Sequence, residues 1–234
     1  MRAVRAVRVL IRLSIVIPAL EEQGTLLAAL DALAPLRAGG HEVIVVDGGS
    51  RDRTLEIARA GADLAFVAPR GRAAQMNAGA ARARGDVLLF LHADSRLPER
   101  AASAIADAFT RGAHWGRFDV TIAGRPRVLK LVAAAMNARS RVTGIATGDQ
   151  GIFVERNLFV RVGGYAPIPL MEDVALSRTL KRAAGRPACL AARIVTSGRR
   201  WETNGPWRTI FTMWRLRLAY ALGVDPATLA RQYR

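Results

Sequence analysis

Three short apolar runs in this chain each lead into a carboxylate. Leu13-Ser14-Ile15-Val16-Ile17-Pro18 runs into Glu21-Glu22, the stretch 42–46 ends at Asp47, and Val87-Leu88-Leu89-Phe90-Leu91 ends at His92-Ala93-Asp94. A lone aspartate after a strand is ordinarily a turn or cap residue. Three at the same strand end point instead to a ligand crevice, because open α/β sheets bind ligands beyond the carboxyl ends of their strands. Asp47 precedes Gly48-Gly49, which permits a tight turn and close backbone approach, and is expected to be free to accept a hydrogen bond from a base or ribose. Ser50 and Asp52 suit capping of the next helix. Asp94 is the candidate ligand for a divalent cation bridging a diphosphate, since phosphate oxygens and water fill the remaining positions. His92 is read either as a ligand or as a packed histidine, and nothing nearby in sequence completes an independent zinc cage. In Pro69-Arg70-Gly71-Arg72, two guanidinium groups flank a glycine at a helix start, where backbone amides and the helix dipole favour a phosphate. The glycine spacing matches neither a Walker loop nor a dinucleotide fingerprint.

The elements that would position these groups alternate. Strands are expected at 13–18, 42–46, 64–67 and 87–91. Helices are expected from Leu26, Leu27, Leu30 and Leu33, over 52–60, and over 72–83. Such alternation implies right-handed crossovers and a mostly parallel sheet covered on both faces. Beyond Pro98 the pattern loosens: a helix to 109, a strand at 115–122, a helix over 126–141, strands near 151–154 and 189–195, a helix at 172–184, and an amphipathic tail at 206–222. The expected organisation is a basic N-terminal extension (1–12) followed by one α/β domain (13–234). Its nucleotide-binding half is 13–97; 98–234 is an acceptor-binding half with amphipathic C-terminal helices.

With 51% hydrophobic and 23% charged residues, the 234-residue chain can bury a substantial core, which excludes disordered and fibrous classes. Its formal net charge is +16, and of 35 basic residues only Lys130 and Lys181 are lysines. An anionic membrane, nucleic acid or a phosphorylated substrate would each answer that charge. Nucleic acid is not expected, because the arginines are dispersed and no helix-turn-helix, zinc or RNA-binding motif appears. The single cysteine, Cys189, suits a reducing, cytoplasmic setting. No apolar run reaches the roughly 18 to 20 residues of a membrane span, and no secretory signal is recognised. Trp201, Trp207 and Trp214 at helical spacing are expected mainly in the core, with sugar stacking or a membrane interface as alternatives. Arg208, Arg215 and Arg217 beside Ile210, Phe211, Met213 and Leu216 would suit peripheral docking on anionic lipid at the inner face of the cell membrane.

Pro18-Ala19-Leu20-Glu21-Glu22, the stretch from Val45 through Asp47-Gly48-Gly49-Ser50 to Thr54, the Gly71 to Gly79 segment, the Asp94 motif and Glu172-Asp173 occur in an order and spacing that resemble glycosyltransferase family 2. That family has the GT-A fold, and the resemblance covers nearly the whole chain. Leu91-His92-Ala93-Asp94, Gly148-Asp149-Gln150-Gly151 and Arg199-Arg200-Trp201 more closely resemble the small bacterial glycosyltransferases associated with arsenosugar biosynthesis. The resemblance implies metal-dependent, inverting transfer of a sugar from a nucleotide-sugar donor, expected to be a UDP-sugar, to an acceptor hydroxyl. The acceptor is lipid-linked or a small molecule, and the cofactor is Mn2+ or Mg2+.

By the same resemblance, Pro18, Glu22, Asp47 and Gly48 hold the nucleoside. Arg70, Arg72, Asn77, His92 and Asp94 serve the rest of the donor, with Asp94 the metal ligand. Glu172-Asp173 is the acidic motif, with Asp173 the general base, and its position at a helix start stabilises the charged form. Asp149 and Gln150 are expected to line a sugar pocket or to form a turn, and Arg200 and Trp201 to belong to the acceptor side. Three positions depart from the family pattern. His92 replaces a first aspartate, which favours manganese over magnesium. Met76 stands where an arginine often precedes the asparagine, with Arg70 or Arg72 as the substitute. Ser197 replaces the glutamine of processive synthases, so polymer synthesis is not expected. A nucleotidyltransferase of related fold is the alternative, but it would normally place a basic, glycine-rich loop after the first strand, where this chain carries an acidic one.

Overall fold

In the computed structural model, which describes residues 11–232, the first strand, β1 (Leu13–Ala19), divides its side chains between two cores. Leu13, Ile15, Ile17 and Ala19 face one core and Val16 the other, as the two-residue period of a strand requires. The basic extension expected over 1–12 lies, apart from Ile11 and Arg12, outside the described residues, as does the side chain of Arg200.

The chain continues through α1 (Leu26–Ala38), β2 (Glu42–Asp47), α2 (Thr54–Gly61), β3 (Leu64–Val67), α3 (Arg72–Arg82), β4 (Val87–Phe90), α4 (Ala101–Thr110) and β5 (Trp115–Ala123). Then come α5 (Val128–Thr143), a 3-10 turn at Gly148–Gln150, β6 (Phe153–Glu155), α6 (Arg156–Arg161), α7 (Glu172–Ala184) and β7 (Ala188–Ser197). The last elements are α8 (Arg199–Asn204), α9 (Pro206–Ala221) and α10 (Pro226–Gln232). Every expected strand is present within a few residues. The short helices α6, α8 and α10 were not anticipated, because six or seven residues carry too few periodic positions to register.

The strands form one seven-stranded mixed sheet in the order β3-β2-β1-β4-β6-β5-β7. β1 pairs in parallel with β2 and β4, β2 with β3, and β5 with β7; β6 is antiparallel to both its neighbours. The orientation of β6 follows from its start. The turn before it packs against His92 at the carboxyl end of β4, so close that a Cβ on Gly148 would lie 2.6 Å from His92 Nε2. A strand leaving that edge has to run back across the sheet. One face of the sheet is covered by α1 and α4 through Leu26, Leu30, Leu33, Ala101 and Ile105. The other is covered by α3 and α7 through Ala73, Met76, Ala80, Leu176 and Leu180. α3 lies close enough that a Cβ on Gly79 would meet Val16 Cγ1 at 2.4 Å.

Of the three tryptophans expected mainly in the core, one is found there and two are not. Trp201 is half-buried against Val120, Ile122, Leu129 and Ala133, in a satellite core between β5 and α5. Trp207 and Trp214, expected mainly inside, are 73% and 70% exposed, because the face of α9 that packs inward carries Thr209 and Leu216 instead.

β5 carries a charge inside the fold. Arg117 is fully buried, and its guanidinium donates to Asp119 and, at 3.2 Å, to the Asn137 carbonyl. Arg141 on α5 grips both oxygens of the same Asp119 at 2.7 and 2.8 Å. Burial alone would raise the Asp119 pKa, but hydrogen bonds and charge from Arg141 and Arg117 outweigh it and hold the carboxyl below its ordinary value. This stabilisation is present above the unfolded-state pKa and is lost as pH falls through the lower folded-state value. Asp119→Asn leaves Arg117 buried without its counter-charge and is expected to cost about 3–5 kcal/mol in urea unfolding at neutral pH, with the deficit shrinking in acid.

Candidate active site

The crevice at the carboxyl edge of β1, β2 and β4 is built by loops that hold one another. Gly48 N–H donates to the Ala19 carbonyl at 2.9 Å, joining the last residues of β1 and β2. The Gln75 side-chain amide, inside the fold on α3, donates to the carbonyls of Ala19 and Val46 at 2.8 and 2.7 Å. Sequence reasoning passed over Gln75, whose only signal is a polar residue on an otherwise apolar helix face. Between the β1–α1 and β2–α2 loops, Ser50 Oγ accepts the Glu21 N–H at 2.9 Å and Thr54 Oγ1 accepts the Glu22 N–H at 2.8 Å. In return Glu21 Oε1 accepts the Arg51 N–H at 2.9 Å, with Glu21 itself at φ +55°. Pro18 lies inside β1, opposite Val46, rather than closing the strand.

Asp47 is fully buried. Its Oδ2 accepts the N–H groups of Gly49 and Ser50, each at 2.9 Å, and its Oδ1 accepts the Ser50 hydroxyl. The expectation of a free carboxylate is thereby corrected: the glycine turn aims its amides back at the carboxylate that ends the strand. Of the two residues expected to cap α2, Asp52 accepts the N–H of Thr54, the first residue of the helix, and that of Gln23, whereas Ser50 turns its hydroxyl to Glu21 and Asp47. Glu22 accepts the Thr25 hydroxyl at 2.6 Å and meets the Arg199 guanidinium at 3.3 Å. Arg199 belongs to a motif recognised in the sequence, yet only the fold brings it 177 residues back to this loop.

The β4 loop is fixed on both sides. Ser95 N–H donates to the His92 carbonyl, Ser95 Oγ donates to Thr196 Oγ1 at 3.1 Å, and Arg96 exchanges backbone hydrogen bonds with Val195 of β7. Asp94 between them has a raised pKa: burial is the main cause, with Asp149 and Glu22 adding to it, while His92 and Arg199 oppose it. His92 Nδ1 meets Asp149 Oδ1 at 3.2 Å. Crowded carboxylates with a burial penalty are a setting that a divalent cation relieves. Among the described residues no group of three His, Cys, Asp or Glu side chains is placed to hold a metal. A cation on Asp94 would take its other ligands from phosphate and water. A cavity of about 180 Å3 opens here, lined by Gly24, Thr25, Ala28, Asp94, Ser95 and Ser197. A larger cavity, about 520 Å3, lies at the other end of β4 beside Asp86 and Asn157, away from the carboxylates.

The 3-10 turn links this group to α7. Asp173 Oδ2 accepts the Gly148 N–H at 2.8 Å and Oδ1 accepts its own helix's Val174 N–H at 2.7 Å. Burial raises the pKa of Asp173, the two amide donors pull it down, and nearby Asp149 raises it and Arg72 lowers it. Glu172, buried beside it, is raised by burial first and by the Asp173 charge second, with Arg72 and His92 opposing. The phenol of buried Tyr165 is pushed well above its usual value by burial and then by Asp173 and Glu172. Arg72, exposed at the start of α3, therefore belongs to the crevice. Arg70 is exposed on the preceding turn.

Two further expected residues do other work. Gln150 is fully buried, accepting the Thr147 N–H and reaching Asn137, so it shapes the turn instead of lining a pocket. Asn77 clamps the backbone of Tyr165, accepting its N–H at 2.9 Å and donating to its carbonyl at 2.8 Å. Met76 is buried in the core under α3, where a charged replacement would not reach the crevice.

The chain is matched over residues 14–157 by the model for glycosyl transferase family 2. A PGL/p-HBAD biosynthesis glycosyltransferase of Mycobacterium bovis (strain BCG / Pasteur 1173P2) is 39% identical over 103 residues, which span 41% of this chain and 40% of that protein. The chain thus matches well under half the length of that relative. Among solved structures, glucosyl-3-phosphoglycerate synthase from Mycobacterium tuberculosis, in complex with Mn2+, UDP and glucosyl-3-phosphoglycerate, superposes with a TM-score of 0.65. It is 19% identical, covering 92% of this chain and 80% of that one. The mannosyltransferase PcManGT from Pyrobaculum calidifontis, in complex with GDP-Man and Mn2+, gives 0.62 at 22% identity, covering 89% and 61%. At these identities the superpositions establish a shared GT-A-like fold.

Because Asn77 holds both the N–H and the carbonyl of Tyr165, Asn77→Ala is expected to lower stability by about 1–3 kcal/mol in urea melts. Nucleotide affinity by titration calorimetry should stay within about twofold of the parent, a free-energy change too small for a lost ligand hydrogen bond.

Proposed function

The chain belongs to glycosyl transferase family 2, and on that premise we propose that it transfers a sugar from a nucleoside-diphosphate donor to an acceptor hydroxyl, with inversion at the anomeric carbon. The observation that carries this reading is the meeting of Asp94, Asp149, Glu172 and Asp173 with His92, Arg72 and Arg199 around the 3-10 turn at one sheet edge. The 13–97 half supplies the nucleoside loops and Asp94; the 98–234 half supplies Asp149, the acidic pair and Arg199. A UDP-sugar is the proposed donor, supported by the UDP in the synthase structure of the same fold. The GDP-Man held by the mannosyltransferase structure makes GDP the comparison to run beside it. Ser197, at the position where processive synthases carry a glutamine, favours a discrete acceptor over a growing polymer.

In this reading the zipped loops around Glu22 and Asp47 form the rigid floor on which the nucleoside sits. Asp94 would hold a divalent cation, Mn2+ or Mg2+, which when bound would supply positive charge to the leaving diphosphate. His92 and Arg199 temper the negative charge around Asp94, and Arg72 faces the acidic pair from the other side. Asp173 takes the acceptor hydroxyl proton as the oxygen attacks the anomeric carbon opposite the leaving diphosphate. Two amide donors oppose the burial of Asp173 and make it the better placed of the adjacent pair to carry the charge. The backbone of Gly148 fixes the Asp173 carboxylate, and a proton on that oxygen would break the contact.

Titration calorimetry with UDP and GDP, each with and without Mn2+, tests the donor side. One nucleotide should bind in a manganese-dependent way, and Asp94→Ala should abolish that dependence; a folded protein that binds neither nucleotide overturns the proposal. For the base, Asp173→Asn should lower kcat by about 10²- to 10⁴-fold while donor affinity is kept. Since the Asp173 pKa is raised, activity should climb with pH through a limb above the ordinary aspartate value of 3.8. The same two raised carboxylates make the fold lose stability as pH rises through their folded-state values, relative to acid where both states are protonated.

A further inference from the structure

α9 is amphipathic with its apolar side outward. Trp207, Phe211, Trp214 and Leu218, continued by Leu222 just past its end, recur at positions that share one stripe of a 3.6-residue helix. All five are between 62% and 76% exposed. The opposite face is packed. Thr209 and Leu216 are buried, Leu216 sits in a cluster with Met171, Val174 and Leu229, and Tyr220 lies under the Arg178 guanidinium at 5.1 Å. The orientation of the helix is therefore fixed by α7 and α10, and the outward stripe is not a helix rolled the wrong way.

What covers such a stripe is decided by charge. Arg208 and Arg215, both exposed, run along one flank, and no acidic residue occurs anywhere in α9. Two copies set stripe to stripe would bring these arginines together with no carboxylate on the helix to answer them. An anionic lipid surface answers them directly, and Trp207 and Trp214 have the amphipathic rings that settle at headgroup depth. With 16 residues α9 is about 24 Å long, and no helix of the described residues is long and apolar enough to cross a membrane. A helix of this kind lies along the interface.

We propose that the Trp207, Phe211, Trp214, Leu218 and Leu222 face of α9, flanked by Arg208 and Arg215, docks the protein on an anionic lipid bilayer. The docking does not depend on the proposed transfer, but its consequence for the acceptor does. The inner side of α9 packs on Met171 and Val174, the residues that flank Glu172 and Asp173. A bilayer under the outer side would lie about one helix diameter, roughly 10 Å, from the element carrying the proposed base. An acceptor hydroxyl presented at headgroup level is then the class of substrate this arrangement favours.

The test is co-sedimentation of the whole chain with vesicles of phosphatidylcholine alone or mixed with phosphatidylglycerol, at low and at physiological salt. Tryptophan fluorescence is followed in parallel. Binding should require the anionic lipid, weaken with salt, and shift the emission to the blue. The double variant Phe211→Ser/Trp214→Ser keeps the net charge and touches only exposed positions, with folding checked by circular dichroism; it should bind about tenfold or more weakly. Arg208→Gln/Arg215→Gln should reduce the preference for phosphatidylglycerol. Absence of binding to anionic vesicles at low salt overturns the proposal. So does binding that Phe211→Ser/Trp214→Ser leaves unchanged, which would mark it as the general attraction of a +16 protein. A dimer by light scattering that the same double variant splits, without vesicle binding by the parent, would assign the face to a second copy. Transfer activity is read separately, so a failed docking leaves the proposed chemistry standing, and a failed transfer leaves the docking.

Discussion

Parallel pairing of β1 with both β2 and β4 is the constraint on which the rest of the structure depends. Strands that run the same way end on the same side, so Glu22, Asp47 and Asp94 are delivered to one edge without any contact among themselves. Bringing carboxylates together under partial burial is costly, and Asp94, Glu172 and Asp173 are accordingly pushed toward the protonated form, by burial first and by neighbouring carboxylates after it. The fold offsets it with guanidinium groups, an imidazole and amides. Arg199 meets Glu22, His92 meets Asp149, Arg72 faces the acidic pair, and Gly148 donates to Asp173.

The β1–α1 and β2–α2 loops of the crevice are held for a different reason. Backbone N–H groups that a loop would leave unpaired are taken up by Ser50, Thr54, Asp52 and Glu21 across two loops, while Gln75 pins the strand ends from beneath. Asp47 is spent on this scaffold, so its contribution to a ligand is the shape of the turn more than a waiting acceptor. Across the crevice, the 3-10 turn at Gly148–Gln150 does several jobs. It packs against His92, donates to Asp173, and forces β6 to run antiparallel. A substitution at Gly148 would therefore be felt by the charge network and by the sheet together.

Much of this was legible in the sequence. The alternating strands and helices, the mostly parallel sheet, and the strand-end acids follow from periodicity and from where polar residues interrupt apolar runs. The family resemblance carried in part by Asp47 and Asp94 agrees with the family match over 14–157, a stretch that ends before Glu172-Asp173. The finer likeness to arsenosugar-associated enzymes is not mirrored in the relative reported, a mycobacterial PGL/p-HBAD glycosyltransferase. Asn77, Gln150 and Trp201 were read as site residues because motif and residue type alone do not say which way a side chain points. The structure turns Asn77 to Tyr165, Gln150 to Asn137, and Trp201 to a satellite core.

What the sequence determines by itself is whatever depends on neighbours within a turn or two: element type, the acid at each strand end, and the glycine turn after Asp47. What only the tertiary structure decides is whatever depends on closing long loops. Examples are Arg199 beside Glu22, the reversal of β6, and a carboxylate at 173 held by an amide at 148. The outward turn of the α9 tryptophans belongs to the same class. Helical spacing fixes that Trp207, Phe211 and Trp214 share a stripe, but which side of the helix meets the protein is settled by Leu216 finding Met171 and Val174. Local periodicity sets the relative angles of side chains about a helix axis, and packing against distant elements sets the absolute rotation of that axis.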